Sequence, residues 1–156
     1  MEKGQKALNL GAGNRPIEGA VNHDLRLDPR RPWITVAHDL NELPWPWDDN
    51  SFDLVAAKAV FEHLRINLVE SLSECWRILR PEGKLYIKLP YWNSENSYID
   101  ATHYWAFGLA IFDQFDPDTE FGTEYEFYEW PQWKVIKPSR LNNSKTSFAA
   151  TLQVRK

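Results

Sequence analysis

Cysteine is almost absent from the sequence, with Cys75 as the single example among 156 residues. One cysteine cannot form an internal disulfide, and Cys75 falls on the apolar stripe of a predicted helix, so we expect a core position in a reducing compartment. The sequence also lacks an apolar run long enough to span a bilayer, and its first residues lack the apolar stretch of a signal peptide. These absences predict a cytoplasmic protein that makes no membrane contact.

An excess of positive charge is missing as well. Lys and Arg number 18 against 22 Asp and Glu, which gives a net charge of −4. Nucleic-acid-binding proteins usually carry a basic face, so no nucleic-acid partner is expected, and the group Arg26, Arg30 and Arg31 fits a solvated loop better than a binding patch. With 43% hydrophobic and 26% charged residues, residues 1–156 are predicted to form one domain.

Tryptophan, in contrast, is abundant, with eight residues in a short chain. Several of them lie together with Tyr and Phe in residues 91–132, where the sequence is acidic and has few periodic stretches. A segment of this length without regular periodicity is usually functional in a compact domain. We therefore predict an aromatic lid, or acceptor-binding insertion, over residues 91–132.

The remaining sequence predicts an α/β fold. Short apolar runs indicate seven strands, at residues 6–10, 21–25, 34–38, 52–60, 84–90, 133–137 and 147–156. The near-continuous apolar run 52–60 is typical of a parallel strand that is buried on both faces. The short polar connection between the last two strands favours an antiparallel pair.

Residues 66–80 form the clearest predicted helix, because their apolar side chains repeat at helical spacing. Asn67 and Glu70 suit the N-terminal cap, and Arg77 and Arg80 suit the last turn. No similar helix fits between the first two strands, since residues 11–20 are fewer than the dozen or so that a parallel crossover needs. The N-terminal helices are therefore expected to be reduced.

The stretch LNLGAG at residues 8–13 carries the first functional signal. An apolar strand that ends in Gly-x-Gly lets the backbone approach a ligand at the carboxyl edge of a parallel sheet. A dinucleotide site would add a third glycine, a helix, and an acidic residue about 20 positions later. Here Pro16 takes the glycine position, Asp24 comes soon after Gly13, and no helix follows to hold a pyrophosphate. This disfavours a nicotinamide oxidoreductase.

Acidic residues end the second and third predicted strands. We expect Asp24 to accept hydrogen bonds from a ribose diol; the alternative is a turn-forming residue. We expect Asp39 to accept a hydrogen bond from an exocyclic amine while Leu40 packs on the base; the alternative is a cap on the next turn. The glycine turn, Asp24 and Asp39 are ligand-facing positions at the ends of three successive predicted strands. Together they are typical of a nucleoside site without phosphates.

In order along the chain, these motifs resemble those of the class I S-adenosylmethionine-dependent methyltransferases, in the small-molecule branch that includes type 11. LNLGAG resembles the glycine-rich first motif, VNHD the second strand with its ribose-binding acid, and AHDLNELPWPWDDNSFDLV the adenine-side motif. AVFEHL and ECWRILRPEGKLYIKLP are similar to the later helix and strand. The resemblance implies a Rossmann-like, mostly parallel seven-stranded sheet with an antiparallel C-terminal strand.

The resemblance also implies S-adenosyl-L-methionine as cofactor. The positions that it assigns to cofactor binding are Asn9, Gly11, Ala12, Gly13, Asp24, Leu25, Asp39, Leu40, Lys58 and Ala59. The chain departs from the family pattern at Asn9, where an acidic residue is common, at the sequence NRP after the turn, and in the reduced first helix.

Catalytic candidates lie in DATHYW, which combines the acid Asp100, the imidazole His103 and the phenol Tyr104. Tyr91 is a further candidate, and packing within the loop is an equal alternative for all of them. His63 is interpreted as structural, and His23 and His38 as packing or edge residues. No spacing of His, Cys and Asp indicates a metal site.

We therefore expect methyl transfer to a small-molecule or sugar-like acceptor. The alternative is a non-catalytic module that binds the cofactor, or serves as a partner subunit, with a degenerate methyltransferase fold. A homo-oligomer is left open.

Overall fold

A computed structural model of the chain describes residues 4–156. Its strands and helices are β1 (Ala7–Leu10), β2 (Val21–Asp24), β3 (Val36–Ala37), β4 (Phe52–Lys58), α1 (Leu68–Ile78), β5 (Leu79–Pro90), α2 (Glu120–Glu124), β6 (Trp133–Leu141) and β7 (Ser147–Val154). Single 3-10 turns lie at Phe61–His63, Glu95–Ser97, Asp113–Phe115 and Glu126–Tyr128. Within this described part, no helix is long and apolar enough to cross a membrane.

The seven strands form one sheet in the order β3-β2-β1-β4-β5-β7-β6. The first five strands in this order pair in parallel, and β7 pairs antiparallel with both β5 and β6. The predicted fold class, with a mostly parallel sheet and an antiparallel C-terminal strand, is confirmed.

Helix α1 begins as the sequence predicts. The Asn67 side chain accepts the Glu70 N–H at 3.0 Å, and the Glu70 carboxylate accepts the Asn67 N–H at 2.8 Å, which completes a capping box. The buried face of the helix includes Leu72, Cys75 and Ile78, all of which belong to the hydrophobic core.

Several predicted boundaries are wrong. Strand β4 ends at Lys58 instead of residue 60, and β5 begins at Leu79 instead of residue 84. The helix ends at Ile78, so Arg80 lies in β5 and pairs with Asp53 at 2.8 Å instead of capping the helix. Strand β3 is shorter than predicted, because the Ile34 N–H bonds back to Arg31 O in a turn at 3.0 Å. Strand β6 continues four residues beyond residue 137, to Leu141, through two irregularities in its pairing with β7.

The connection between β1 and β2 contains no helix among the residues described, as the sequence predicts. Two buried asparagines hold it instead. The Asn22 amide bonds with Ile17 N, Ile17 O and Ala20 O, and the Asn9 amide donates to Arg15 O and to Asn22 Oδ1. These side chains supply hydrogen-bond partners to backbone groups of the loop.

The segment 91–132 has irregular structure, and part of it packs into the core. Phe107, Phe112 and Phe115 are buried, whereas Tyr98, Tyr104 and several other aromatic side chains are exposed. The chain between residues 97 and 105 returns to the turn that follows β4, which brings it to the carboxyl edge of the sheet.

Candidate functional site at the carboxyl edge of the sheet

A cavity of about 470 Å³ opens at the carboxyl ends of β1, β2, β3 and β4. Ligand sites of open parallel sheets lie at this edge, and the volume is in the range of small-molecule pockets. Its lining residues come from five parts of the chain: Gly11, His23, Asp24, Leu25, His38, Asp39, Leu40, Asn41, Ala59, Val60, His63, Leu64, Arg65, Thr102 and Tyr104.

Glycine is required at the turn after β1 by both conformation and space. Gly11 has φ +56°, and a Cβ there would stand 2.7 Å from Val60 Cγ2. Gly13 also has a positive φ, of +49°, but a Cβ there would meet nothing closer than 4.0 Å. The turn therefore packs tightly against the end of β4 at Gly11 and stays open at Gly13.

The N–H groups of this turn are already engaged by β2. Ala12 N donates to His23 O at 2.8 Å, Gly13 N donates to Asp24 Oδ2 at 2.8 Å, and Gly11 N faces His23 Nδ1 at 3.5 Å. The turn thus offers a ligand close backbone approach, while its own donors stabilise the β1–β2 edge.

Asp24 lies at the end of β2 with its carboxylate between the turn and the following residue. Oδ2 accepts the Gly13 N–H and Oδ1 accepts the Leu25 N–H, both at 2.8 Å. Each carboxylate oxygen has a second lone-pair site, so the group can accept further hydrogen bonds from a ligand in the cavity.

Asp39 is organised by its neighbour Asn41. Asp39 Oδ1 accepts both Asn41 N at 2.9 Å and Asn41 Nδ2 at 2.8 Å, and Asn41 Oδ1 accepts Arg65 N at 2.6 Å. The backbone hydrogen bond from Asn41 holds the pKa of Asp39 below its usual value, against a smaller effect of burial. Asp39 is therefore a carboxylate with Oδ2 available, and the buried Leu40 lies beside it.

His23 is a buried packing residue, in agreement with its predicted role. Its Nε2 contacts His38 O at 3.0 Å, and a carbonyl only accepts, so Nε2 carries the proton and Nδ1 is free to accept from Gly11 N. The ring packs edge-on against Trp47 at 5.3 Å. Burial lowers the pKa of His23, which favours this neutral form.

The structure separates the predicted cofactor positions into two groups. Six of them line the cavity: Gly11, Asp24, Leu25, Asp39, Leu40 and Ala59. The other four, within residues 4–156, do not line it: Asn9, Ala12, Gly13 and Lys58. The Asn9 side-chain amide donates both of its hydrogen bonds to Arg15 O and Asn22 Oδ1. Lys58 Nζ lies over the Tyr86 ring at 5.9 Å from its centroid.

The predicted catalytic residues also differ in position. Tyr104 lines the cavity and is 58% exposed, with its N–H donating to Glu62 O at 2.7 Å. Asp100 accepts from Thr102 N and Oγ1 at 2.8 and 2.7 Å. His103 packs edge-on against His63 with ring centroids 4.6 Å apart. Tyr91 takes part in loop hydrogen bonds and is outside the described cavity lining.

Glu62 is the residue near the site that the sequence interpretation missed. Its side chain is fully buried, and neither carboxylate oxygen has a hydrogen-bond partner in the described chain. Burial raises the pKa of this carboxyl to about 7. The nearby backbone N–H groups of Glu62 and Val60 lower it by a smaller amount, although neither meets the geometry of a hydrogen bond to the carboxylate. The only sequence signal was the pair Glu62-His63 shortly after the strand that ends at Lys58, and nothing in the spacing connected it to His103.

Comparisons with solved structures identify the architecture. A SAM-dependent methyltransferase from Archaeoglobus fulgidus superposes with a TM-score of 0.63 at 17% identity, over 96% of this chain and 86% of that one. The chain has the class I methyltransferase fold. A family model described as a methyltransferase domain matches residues 17–87, so the resemblance seen in the sequence is confirmed. No curated protein matches the sequence significantly.

Two further structures show how widely this methyltransferase fold is used. A chain from the complex between the Haloferax volcanii Trm112 methyltransferase activator and a candidate methyltransferase has a TM-score of 0.62 at 15% identity, covering 100% of this chain and 85% of that one. The structure of the [4+2]-cyclase SpnF has a TM-score of 0.62 at 11% identity, covering 97% of this chain and 74% of that one. The fold alone therefore does not fix the reaction.

Proposed function

We propose that this protein binds S-adenosyl-L-methionine in the cavity at the carboxyl edge of the sheet and catalyses methyl transfer to a small-molecule acceptor. The observation that carries the proposal is that Asp24, at the end of β2, and Asp39, two residues beyond the neighbouring strand β3, both line the cavity together with Leu40. This arrangement occurs in a chain with the methyltransferase fold.

The residues fit the adenosine part of the cofactor. Asp24 retains a lone-pair site on each oxygen after accepting Gly13 N and Leu25 N, which suits the two hydroxyl groups of a ribose. Asp39 retains Oδ2 for an exocyclic amine, because Asn41 occupies Oδ1. Two carboxylates also favour a ligand that carries a positive charge.

When bound, the cofactor supplies a methyl group that is already activated by the sulfonium. The chain has then to bind and orient the acceptor and to exclude water. Tyr104 and Thr102 line the cavity from the segment 97–105, so they would contact an acceptor that enters from this side. His103 and Asp100 are candidates for accepting the proton of an acceptor, because His103 contacts the cavity residue His63 and Asp100 accepts from the cavity residue Thr102.

A specific observation favours the alternative, a binding or partner-subunit module. The N–H groups of the glycine turn are engaged by β2, so the methionine end of the cofactor would find few free backbone donors there. The complex of a structurally similar chain with a methyltransferase activator gives this alternative a concrete form, in which a second protein would complete the site.

Methyl transfer is tested by incubating the protein with S-adenosylmethionine and pooled small-molecule acceptors, with S-adenosylhomocysteine and methylated products measured by mass spectrometry. We expect product formation that is strongly reduced in Asp24→Ala. Asp28→Ala is the matched control, because Asp28 lies in the same region, pairs with Arg30 at 3.0 Å and does not line the cavity. Cofactor binding without transfer to any acceptor would favour the module.

A further inference from the structure

Glu62 places a fully buried carboxyl group beside the cavity. Its side chain is 0% exposed, and neither oxygen accepts a hydrogen bond from residues 4–156. Buried polar groups are almost always paired, and an exception calls for an explanation such as an ion. A buried carboxylate is stable when it is paired with a charge or coordinates a metal.

Two imidazoles face this carboxylate. His63 and His103 are both half-buried, and each offers one ligand atom, such that these atoms and a Glu62 oxygen all lie within 4.8 Å of one another. The two rings meet edge-on with centroids 4.6 Å apart. No cationic side chain pairs with Glu62 in the described chain, since none of the ion pairs there involves its carboxylate.

The hydrogen bonds of both imidazoles leave Nε2 available. His103 Nδ1 contacts Ser97 O at 3.2 Å, and a carbonyl can only accept, so Nδ1 is protonated. His63 Nδ1 contacts Thr102 Oγ1 at 2.8 Å, and that hydroxyl already donates its proton to Asp100 Oδ1 at 2.7 Å. His63 Nδ1 must therefore donate as well. Metal-binding histidines are typically oriented in this way, by a hydrogen bond from the other ring nitrogen to a carbonyl or carboxylate network.

The two segments that carry these residues are fixed to each other. Tyr104 N donates to Glu62 O at 2.7 Å, and Trp105 Nε1 donates to Leu64 O at 2.7 Å. These bonds hold His103, from the segment 97–105, against the turn that carries Glu62 and His63. The cluster is thus held in place by contacts outside its own side chains.

We propose that Glu62, His63 and His103 form a binding site for one divalent transition-metal ion. Two neutral imidazoles and a carboxylate are a ligand set that suits zinc and similar ions, and the ion would neutralise the buried Glu62 charge. Zn–N bonds of about 2.1 Å place tetrahedral ligand atoms about 3.4 Å apart, so side-chain rotation has to shorten the present separations, which are within 4.8 Å. Three protein ligands leave a coordination position open, and His63 also lines the cavity.

The proposal does not depend on methyl transfer, and metal binding alone tests it. The purified full chain, stripped with a chelator, is titrated with Zn²⁺ in a calorimeter, and one equivalent is expected to bind. His63→Ala and His103→Ala should each weaken binding by about 100-fold or more, since loss of an outer-shell partner alone costs 10- to 100-fold. His38→Ala is the control, because His38 is a cavity histidine outside the cluster.

Two further variants separate ligation from folding. Glu62→Gln keeps the shape of the side chain and removes its charge, so we expect a folded protein, by circular dichroism, that has lost high-affinity Zn²⁺ binding. Thr102→Val removes the acceptor of the His63 Nδ1 proton and should weaken Zn²⁺ binding about 10- to 100-fold without unfolding. The absorption spectrum of the Co²⁺-loaded protein should indicate nitrogen and oxygen ligands without thiolate. Absence of stoichiometric binding by wild type, or full affinity in folded Glu62→Gln, would overturn the proposal.

Discussion

Replacing Gly11 by alanine tests how closely the turn after β1 packs against Val60. The substitution forces a side chain onto a residue with φ +56° and places its Cβ 2.7 Å from Val60 Cγ2. The left-handed conformation costs an L-residue about 1–2 kcal/mol, and overpacking adds about 1–3 kcal/mol. We expect Gly11→Ala to lower the free energy of unfolding by roughly 2–5 kcal/mol.

Gly13→Ala supplies the matched control, because Gly13 has φ +49° but open space around a new Cβ. It should cost only the conformational part, about 1–2 kcal/mol. Adding Val60→Ala to Gly11→Ala should recover the overpacking part, and the double-mutant cycle corrects for the cost of Val60→Ala itself.

Denaturant unfolding followed by tryptophan fluorescence measures all of these variants, with equal m-values as the check on two-state behaviour. Equal destabilisation by Gly11→Ala and Gly13→Ala, or a coupling energy near zero with Val60→Ala, would refute the tight packing of the turn against the end of β4.

Three other predictions concern stability and reactivity. Asn67→Ala should destabilise the protein by about 1 kcal/mol, because it removes the capping box of α1; a change within error in denaturant unfolding would contradict this. Burial raises the pKa of Glu74, but hydrogen bonds from Arg77 and Trp45 N outweigh it and leave the pKa below its usual value of 4.5. A lowered folded-state pKa contributes stability above pH 4.5 that is lost as the pH falls below it. The stability difference between wild type and Glu74→Gln should therefore shrink on acidification below that pH, and a constant difference would argue against the ion pair. Burial raises the pKa of the Cys75 thiol, so a thiol reagent should modify it only at the rate of unfolding, and rapid labelling of native protein would contradict its core position.

The sequence was sufficient for features that depend on local pattern. The capping box at Asn67 and Glu70, the alternation in β7 and the missing helix after β1 are all encoded within short stretches of chain. The meeting of Asp24 and Asp39 at one cavity was also predictable, because parallel strands bring their carboxyl ends to one edge.

Features that depend on distant partners could not be predicted in this way. Asn9 resembled a cofactor position, and only the pairing of β1 with β2 brings its amide to Asn22 and into the loop network. Arg80 suited a helix end until the strand pairing placed it beside Asp53.

The cluster of Glu62, His63 and His103 also depends on distant partners. Glu62 and His63 are adjacent in sequence, but His103 reaches them through an irregular segment whose path is set by contacts such as Trp105 Nε1 to Leu64 O. The burial that leaves the Glu62 carboxylate without a hydrogen-bond partner among residues 4–156 is a tertiary property, and no spacing rule expresses it.

Calorimetric titration with S-adenosylhomocysteine tests the central claim most directly. We predict one binding site per chain, with an affinity that Asp24→Ala weakens by about 1–3 kcal/mol, the cost of unpaired ribose hydroxyl groups. Asp28→Ala should bind like wild type. Absence of binding to the folded wild-type protein, or unchanged affinity in folded Asp24→Ala, would contradict the account of this cavity as the cofactor site.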